Sequence, residues 1–478
     1  VHRIVSLAAA IAFITPAPAV KVPITSTSAD AKAHYIKGRA LADQLRLHDA
    51  RGEFTQAVAL DQTFALAHYN LALCSATAKD FFAELNQAVA LADKASEGER
   101  LMILSLQAGA NADPTKAQQY VEQLVAKFPQ DERAHFLLGN SYFGRQQYPE
   151  AIAQFRRAIE IDSSYSPAYN SLGYAYRPVD NIPDAEAAFK KYIALVPDDP
   201  NPYDSYAELL MKAGRFDESI VQYRKALTID PHFGSSHIGI AVDQMFQGNT
   251  DAAIAEAGRL YDAARDDADR RNATFTQAMI YVDAGRTAQA LQRMAAEHAI
   301  AARIADSANM AADLVATGDI ELDAGRPDEA RAHYTEAYAL LRASGLSTDI
   351  KDDAKLADDY NLARVALAKH DLPTANALST DYMTGAQARH NDFRIRQAHT
   401  LAAAIALHDK QYDRALAELA QSNQQNPYVL YLTALAYQGS GQSAKASTLF
   451  RQAANANTLP TLQYVFIRTK AKAAVGSA

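Results

Sequence analysis

The residues that could do chemistry in this chain are few and dispersed. Thirteen histidines, one cysteine and fifty-five acidic side chains are spread over 478 residues. A metal helix would need two histidines four apart around a glutamate, and a phosphate loop or dinucleotide fingerprint would need closely spaced glycines. None of these patterns occurs. His232 and His237 stand five apart, and the acids near them form no ligand set. The acidic clusters Asp266-Asp267-Asp269 and Asp352-Asp353 read as solvated loops. Cys74 stands alone, so no internal disulfide is possible, and Leu71, Ala72 and Ala76 around it suggest a small buried apolar residue. The reading is of no catalytic residue, no metal and no cofactor.

What the chain does carry is a period. Gly139, Gly173 and Ala207 are 34 apart, as are Ala151, Ala185 and Ser219, and Phe155, Phe189 and Tyr223. Pro197 and Pro231 keep the same step. A fixed period of this size predicts a stacked array of helix pairs, with an extended concave surface in place of a single cleft. Tyr169, Leu172, Gly173 and Tyr176 share one face of a first helix, and Ala185, Phe189 and Tyr192 share one face of a second. The spacing predicts a first helix over about 131–145 and a second over about 149–161, with Gly214 and Gly248 in the turns between paired helices.

The register runs along nearly all the chain. The first-helix small residue is Gly38, Ala72, Ser105, Gly139, Gly173, Ala207, Ala241, Ala278, Gly318, Ala363, Ala403 and Ala434. Twelve positions later come Ala50, Glu84, Ala117, Ala151, Ala185, Ser219, Ala253, Ala290, Ala330, Ala375, Ala415 and Ala446, of which Glu84 alone is not Ala or Ser. The steps are 33 or 34 as far as Ala241, then 37, 40, 45, 40 and 31. This divides the array into a regular block, 31–265, and an irregular, longer-helix block, 266–458, followed by a capping helix and tail over 459–478. ARDDADRRNA (264–273) is the expected junction, and ASGLSTDIKDDAK (343–355) an expected loop.

The segments HFLLGNSYFGRQQYPEAIAQFRRAIEID, YNSLGYAY…AEAAFKKYIALVP and YDSYAELLMKAGRFDESIVQYRKALTIDP resemble the tetratricopeptide repeat (TPR) family. The shared pattern is an aromatic, Leu-Gly, Tyr, then Ala, Phe, Ala and Pro over 34 residues. The resemblance implies an all-α superhelical solenoid, here of about twelve helix pairs, and extends to exported bacterial repeat proteins. In this family first helices line the concave groove. One helical step off the packing face, that selects Arg133, Phe136, Asn140 and Phe143, then Asn170, Tyr174 and Arg177, then Asn201, Asp204, Glu208 and Met211. The alternative is that several of these pack between adjacent first helices. A carboxylate clamp known in some members is not carried over. Its positions hold Phe136, Asn140, Ser171, Asn201 and Ser205, with no cation among them.

The net charge of −8 and the absence of a basic stripe speak against nucleic acid. Beyond the first residues no apolar run of eighteen occurs, so no internal membrane span is expected. Residues 1–19 read as a signal peptide: His2 and Arg3, an apolar run Ile4–Ile14, and Ala17-Pro18-Ala19 before a mature start at Val20. An uncleaved anchor or a disordered tail is the alternative. Residues 20–30 would be a flexible leader. The function expected is an exported, periplasmic or secreted, non-catalytic scaffold that binds a protein or peptide in its groove. A regulatory module sensing a small molecule or glycan is the second reading.

Overall fold

The computed structural model describes residues 21–476, so the expected signal peptide and its cleavage site lie outside the described residues. Within them are twenty-five α-helices, arranged as twelve antiparallel pairs and one terminal helix. The regular pairs, units 1 to 7, are α1 (Ala29–Asp43) with α2 (Leu47–Leu60), α3 (Ala65–Leu73) with α4 (Ala78–Leu91), α5 (Glu97–Ala110) with α6 (Pro114–Lys127), α7 (Glu132–Gly144) with α8 (Tyr148–Ile161), α9 (Ser166–Tyr176) with α10 (Ile182–Leu195), α11 (Pro200–Lys212) with α12 (Phe216–Ile229), and α13 (Gly234–Phe246) with α14 (Thr250–Ala263). Units 8 to 12 are α15 (Asp267–Asp283) with α16 (Thr287–Arg303), α17 (Ser307–Asp323) with α18 (Pro327–Ala343), α19 (Thr348–Ala368) with α20 (Leu372–Ala388), α21 (Asp392–His408) with α22 (Tyr412–Ala420), and α23 (Pro427–Gly439) with α24 (Ser443–Ala454). The terminal helix is α25 (Leu462–Gly476).

Unit 4 shows why the sequence folds this way. Asp131 caps α7 by accepting the backbone N–H groups of Arg133 and Ala134 at 2.9 and 3.0 Å, which satisfies donors that the first turn leaves free. The helix ends in a tight turn with Gln146 at φ 63. The equivalent turns of units 6 and 7 use Gly214 and Gly248 at φ +74 and +84, where glycine carries no Cβ penalty. Pro149 sits in the first turn of α8, where a missing N–H costs nothing. Ala151, Phe155 and Ala158 then lie on one face, all fully buried.

The small residue of the first helix is there because an aromatic ring of the second helix lies on it. A Cβ added to Gly139 would stand 2.5 Å from Phe155, and one on Gly173 would stand 2.6 Å from Phe189. Gly38 meets Phe54 and Gly318 meets Tyr334 in the same way. Tyr223 reaches further, into the next unit, where Gly239 leaves room for its ring. The alanines at Ala50, Ala151, Ala185, Ala253, Ala290, Ala330, Ala375 and Ala415 are fully buried. In unit 6 Ser219 keeps the place of alanine by donating its hydroxyl to the Ala207 carbonyl at 2.8 Å. Glu84 stays half-buried 2.7 Å from His68 Nδ1, and Leu85 and Ala88 take the buried positions of α4.

Three expectations are corrected. Residues 267–273 of the expected junction already belong to α15, and the loop expected over 343–355 shrinks to 344–347 because α19 starts at Thr348. Helical continuation there keeps backbone groups bonded that a loop would have left free. The leader over 21–28 is not free. Its backbone is extended and donates Val22 N–H to Asp131 at 2.8 Å, Thr25 N–H to Glu99 at 2.7 Å and Thr27 N–H to Asp61 at 3.0 Å. Lys21 pairs with Glu132 at 2.6 Å.

The superhelix meets itself after one turn. Arg51 of unit 1 bonds Asp266 at the start of unit 8 at 3.1 Å. The Lys79 N–H of unit 2 reaches Asp306 of unit 9 at 3.3 Å. Asn111 of unit 3 accepts from Ser347 of unit 10 at 3.3 Å, and Arg145 of unit 4 pairs with Asp392 of unit 11 at 2.6 Å. The offset is seven units each time. Asp266, Asp306 and Ser347 are also the N-caps of α15, α17 and α19. The two aspartates spend one oxygen on their own helix and the other on the preceding turn.

Two outcomes follow from this packing. Gly173→Leu drives a side chain into Phe189 and should cost about 1–3 kcal/mol by overpacking. Gly144→Leu points into open space and should stay within about 0.5 kcal/mol. Urea denaturation of both variants checks this, and equal midpoints would refute the assigned contact. The turn-to-turn seam is polar and partly exposed, so each ion pair contributes about 0–1 kcal/mol. Arg51→Ala with Arg145→Ala, or salt near about 1 M where screening acts within about 3 Å, should increase the radius of gyration in solution scattering without loss of helicity. An unchanged profile would mean the turns are held by other contacts.

Candidate binding surface

Adjacent first helices pack side by side, so a residue one step off the unit's own core faces either the groove or its neighbour. In the regular block most of the expected groove residues already have partners within the chain, in their own unit or in another. Arg133 pairs with Asp43 of α1 at 2.9 Å and lies 5.1 Å over the Tyr165 ring. Phe136 packs on Phe155 and Tyr165 with centroids 6.0 and 5.5 Å away. Phe143 meets Tyr148 edge-on, and Tyr174 meets Phe189 in the same manner. Arg177 covers Tyr174 at 5.1 Å and pairs with Glu208 at 3.0 Å. Asn140 is exposed, and Asn170 is half-buried.

Asn201, Asp204 and Met211 are corrections to the groove set, because all three are buried. Asn201 donates to the Tyr192 hydroxyl at 2.8 Å, and Asp204 accepts from the Ser236 hydroxyl at 2.7 Å. Burial, with Glu208 nearby, pushes the Asp204 carboxyl up to about 8. Tyr174, Arg177, Asp204 and Glu208 therefore form a polar seam between units 5, 6 and 7 that is largely satisfied from within. Of the expected set, Asn140 offers the most open side chain.

The concave face of the irregular block is built differently. Its first helices, α17, α19, α21 and α23, with Phe275 of α15, surround a cavity of about 810 Å³, and α25 forms the remaining wall. Tyr360, Gln397, Thr400, Tyr428, Tyr431 and Phe466 line it together with Leu322, Leu367, Leu401 and Leu432. Arg364 enters beneath Tyr360, 5.5 Å from its ring, and is neutralised by Asp319 at 2.6 Å. Gln397 is oriented by the Tyr382 hydroxyl at 2.5 Å. His370 and His408 stand at this cavity with their ring nitrogens 2.6 Å apart. The wall depends on α25, which turns back from unit 12 onto α15 and α17. Its Arg468 is buried, bonds both oxygens of Asp283 at 2.7 and 2.8 Å, donates to the Phe246 carbonyl at 3.1 Å and lies over the Phe246 ring. Tyr464, Val465 and Ile467 join the core of units 6 to 9.

Sequence reasoning missed this cavity because its residues come from five units of unequal spacing and from a helix returning across them. It also missed a regular role for histidine. His34, His135, His237 and His399 each lie 2.6–2.7 Å from a residue nineteen positions on, Glu53, Gln154, Glu256 and Glu418 respectively. Each such pair ties the first helix of a unit to its second, and the shared spacing is the signal that could have found it. Cys74 is buried, and burial pushes its thiol up to about 12, so it is inert. Among the described residues no group of three or more His, Cys, Asp or Glu is placed to hold a metal ion, and no helix is long and apolar enough to cross a membrane.

Comparison with known proteins agrees with this geometry. Family models match at residues 139–177, described as a TPR repeat, and at residues 201–233, described as a tetratricopeptide repeat. A protein from Dictyostelium discoideum called STIP1 homolog is 34% identical over 93 residues, 20% of this chain and 16% of its own length. Hsp70-Hsp90 organizing protein 3 of Arabidopsis thaliana is 30% identical over 114 residues, 24% of this chain and 19% of its own. The chain thus spans less than a fifth of either relative. Among solved structures, a tetratricopeptide repeat protein from Parabacteroides merdae aligns with 54% of this chain and 97% of its own at 15% identity and a TM-score of 0.36. Two matched repeats, and the same small-residue-on-ring packing in units on either side of them, make this chain a member of the tetratricopeptide repeat family.

Proposed function

We propose that the chain is an exported, non-catalytic scaffold that takes a segment of a partner protein on its concave face, with the cavity of the irregular block as the main contact. The observation that carries this reading is the cavity itself. It has about 810 Å³ of space lined by leucines and by tyrosine, phenylalanine and glutamine side chains from successive units. Leucine and aromatic walls supply apolar contact area, and Gln397, its oxygen already accepting the Tyr382 hydroxyl, supplies an amide donor for a peptide carbonyl. The relatives support an interaction role in one case by name, since one is called an organizing protein. Asn140, Asn170 and Tyr174 of the regular block would extend the contact, although Tyr174 already serves the stack. A second reading, a small molecule or glycan in the same cavity, is favoured by its size, which falls in the range of about 300–1,000 Å³ usual for ligand pockets.

The test begins with a partner captured from native envelope extract and purified. Tyr428→Ala with Tyr431→Ala should weaken its binding at least about tenfold, or about 1.4 kcal/mol, while circular dichroism stays unchanged. Asn140→Ala, Asn170→Ala and Tyr174→Ala together should have the smaller effect. Full loss from that second variant alone would move the site to the regular block. Binding of a small molecule that raises the melting temperature of the wild type, but not of the tyrosine variant, would favour the second reading. Export rests on residues 1–19. N-terminal sequencing of protein from its native host should begin at Val20, and intact residues 1–19 on cytoplasmic protein would rule it out.

A further inference from the structure

The ring nitrogens of His370 and His408 face each other at 2.6 Å, with centroids 4.8 Å apart and planes inclined by 48°. Both residues are exposed, and they come from different units. His370 follows the last turn of α19 in the left-handed region at φ 60, and His408 is the last residue of α21. The other histidines that bridge helices in this protein face a carboxylate or an amide, as His237 faces Glu256 and His135 faces Gln154. Here two rings that are both potential electron-pair donors face one another instead.

We propose that His370 and His408 form a two-imidazole site for a divalent transition-metal ion of the copper, nickel or zinc class. Imidazole suits these ions, and in that class copper binds most tightly. Each neutral ring can hold its proton on the far nitrogen, Nε2 of His370 and Nδ1 of His408, so that His370 Nδ1 and His408 Nε2 both offer lone pairs. With metal–nitrogen bonds of about 2.0–2.1 Å, opening the pair to roughly 3 Å gives a nitrogen–metal–nitrogen angle near a right angle. That movement is a small rotation of two exposed side chains. Both rings also stand at helix C-termini, where the unpaired carbonyls favour positive charge. Only two protein ligands are supplied, so the remaining coordination positions are left to water or to a donor from a molecule bound in the adjoining cavity. The site stands independently of the scaffold reading, because it can hold a metal whether or not the cavity takes a protein segment.

The test uses the full chain, freed of metal by chelator and dialysed, and titrated with copper(II) and with zinc(II) alone by calorimetry. The wild type should bind one equivalent of copper(II) that His370→Ala and His408→Ala each weaken at least about tenfold, with zinc(II) following the same pattern more weakly. His48→Ala, an exposed histidine elsewhere, should leave that equivalent in place. Electron paramagnetic resonance of the copper form should show nitrogen coordination that either alanine variant reduces. Circular dichroism of the variants confirms that the fold is kept. Equal binding by the wild type and both alanine variants would mean adventitious metal elsewhere, and no binding at micromolar copper(II) would leave the pair as a hydrogen bond only. Either result overturns the proposal.

Discussion

The contact on which the array depends is an aromatic ring laid on a backbone. In unit 5 the Phe189 ring occupies the space that a Cβ of Gly173 would need, at 2.6 Å. The same arrangement recurs where Phe54 covers Gly38, Phe155 covers Gly139 and Tyr334 covers Gly318. Close approach of two helices gains dispersion contacts over their whole length, and a void there would forfeit them. Each pair then presents its remaining apolar face to the next, so a pair is stable through its neighbours and the core is a continuous spine. The alanine positions follow from this. Ala151, Ala185 and Ala253 are fully buried because a larger side chain would separate the helices that the ring has drawn together.

A stack of such pairs twists, and here the twist brings unit 8 over unit 1. Caps therefore do two tasks. Asp306 accepts Asn309 N–H with one oxygen, which starts α17, and Lys79 N–H from the preceding turn with the other. Among the described residues no turn of the solenoid precedes units 2 to 4, and residues 21–28 lie along that edge. Their N–H groups meet Asp61, Glu99 and Asp131, carboxylates that begin or precede first helices in the same way. Asp61, buried and bonded by Ser26, Thr27 and Thr63, is held well below the usual carboxylate range. The extended segment is thus a structural continuation of the solenoid's edge.

The same curvature divides the concave face into two regions of different character. In the regular block neighbouring units are close and uniform, so Arg177, Asp204 and Glu208 find partners in adjacent units, while Arg133 reaches across to Asp43 of unit 1. In the irregular block the first helices α15, α17, α19 and α21 are longer, and the units are unevenly spaced, so side chains do not fill the interior. The return of α25 closes one side and leaves a cavity beside it. Buried Arg468, paired with Asp283, fixes that return. Breaking such a pair leaves an uncompensated charge, which costs far more than an exposed pair contributes.

The sequence by itself determined the repeat. Small residues and aromatics at fixed spacing specify a helix pair locally, because the periodicities of 3.6 and of 34 residues are properties of neighbouring positions. The twelve pairs, the turn glycines and the inert Cys74 were all legible for that reason. What tertiary structure decided are the contacts between units far apart. No local pattern says that Arg145 meets Asp392, that residues 21–28 lie along units 2 to 4, or that α25 crosses to α15. The groove residues failed at the same limit. One helical step off the core points Asn140 outward and Asp204 into a neighbour, and only the separation of adjacent first helices distinguishes the two. That separation is set by the packing of every unit on the next, which sums small rotations over the whole array.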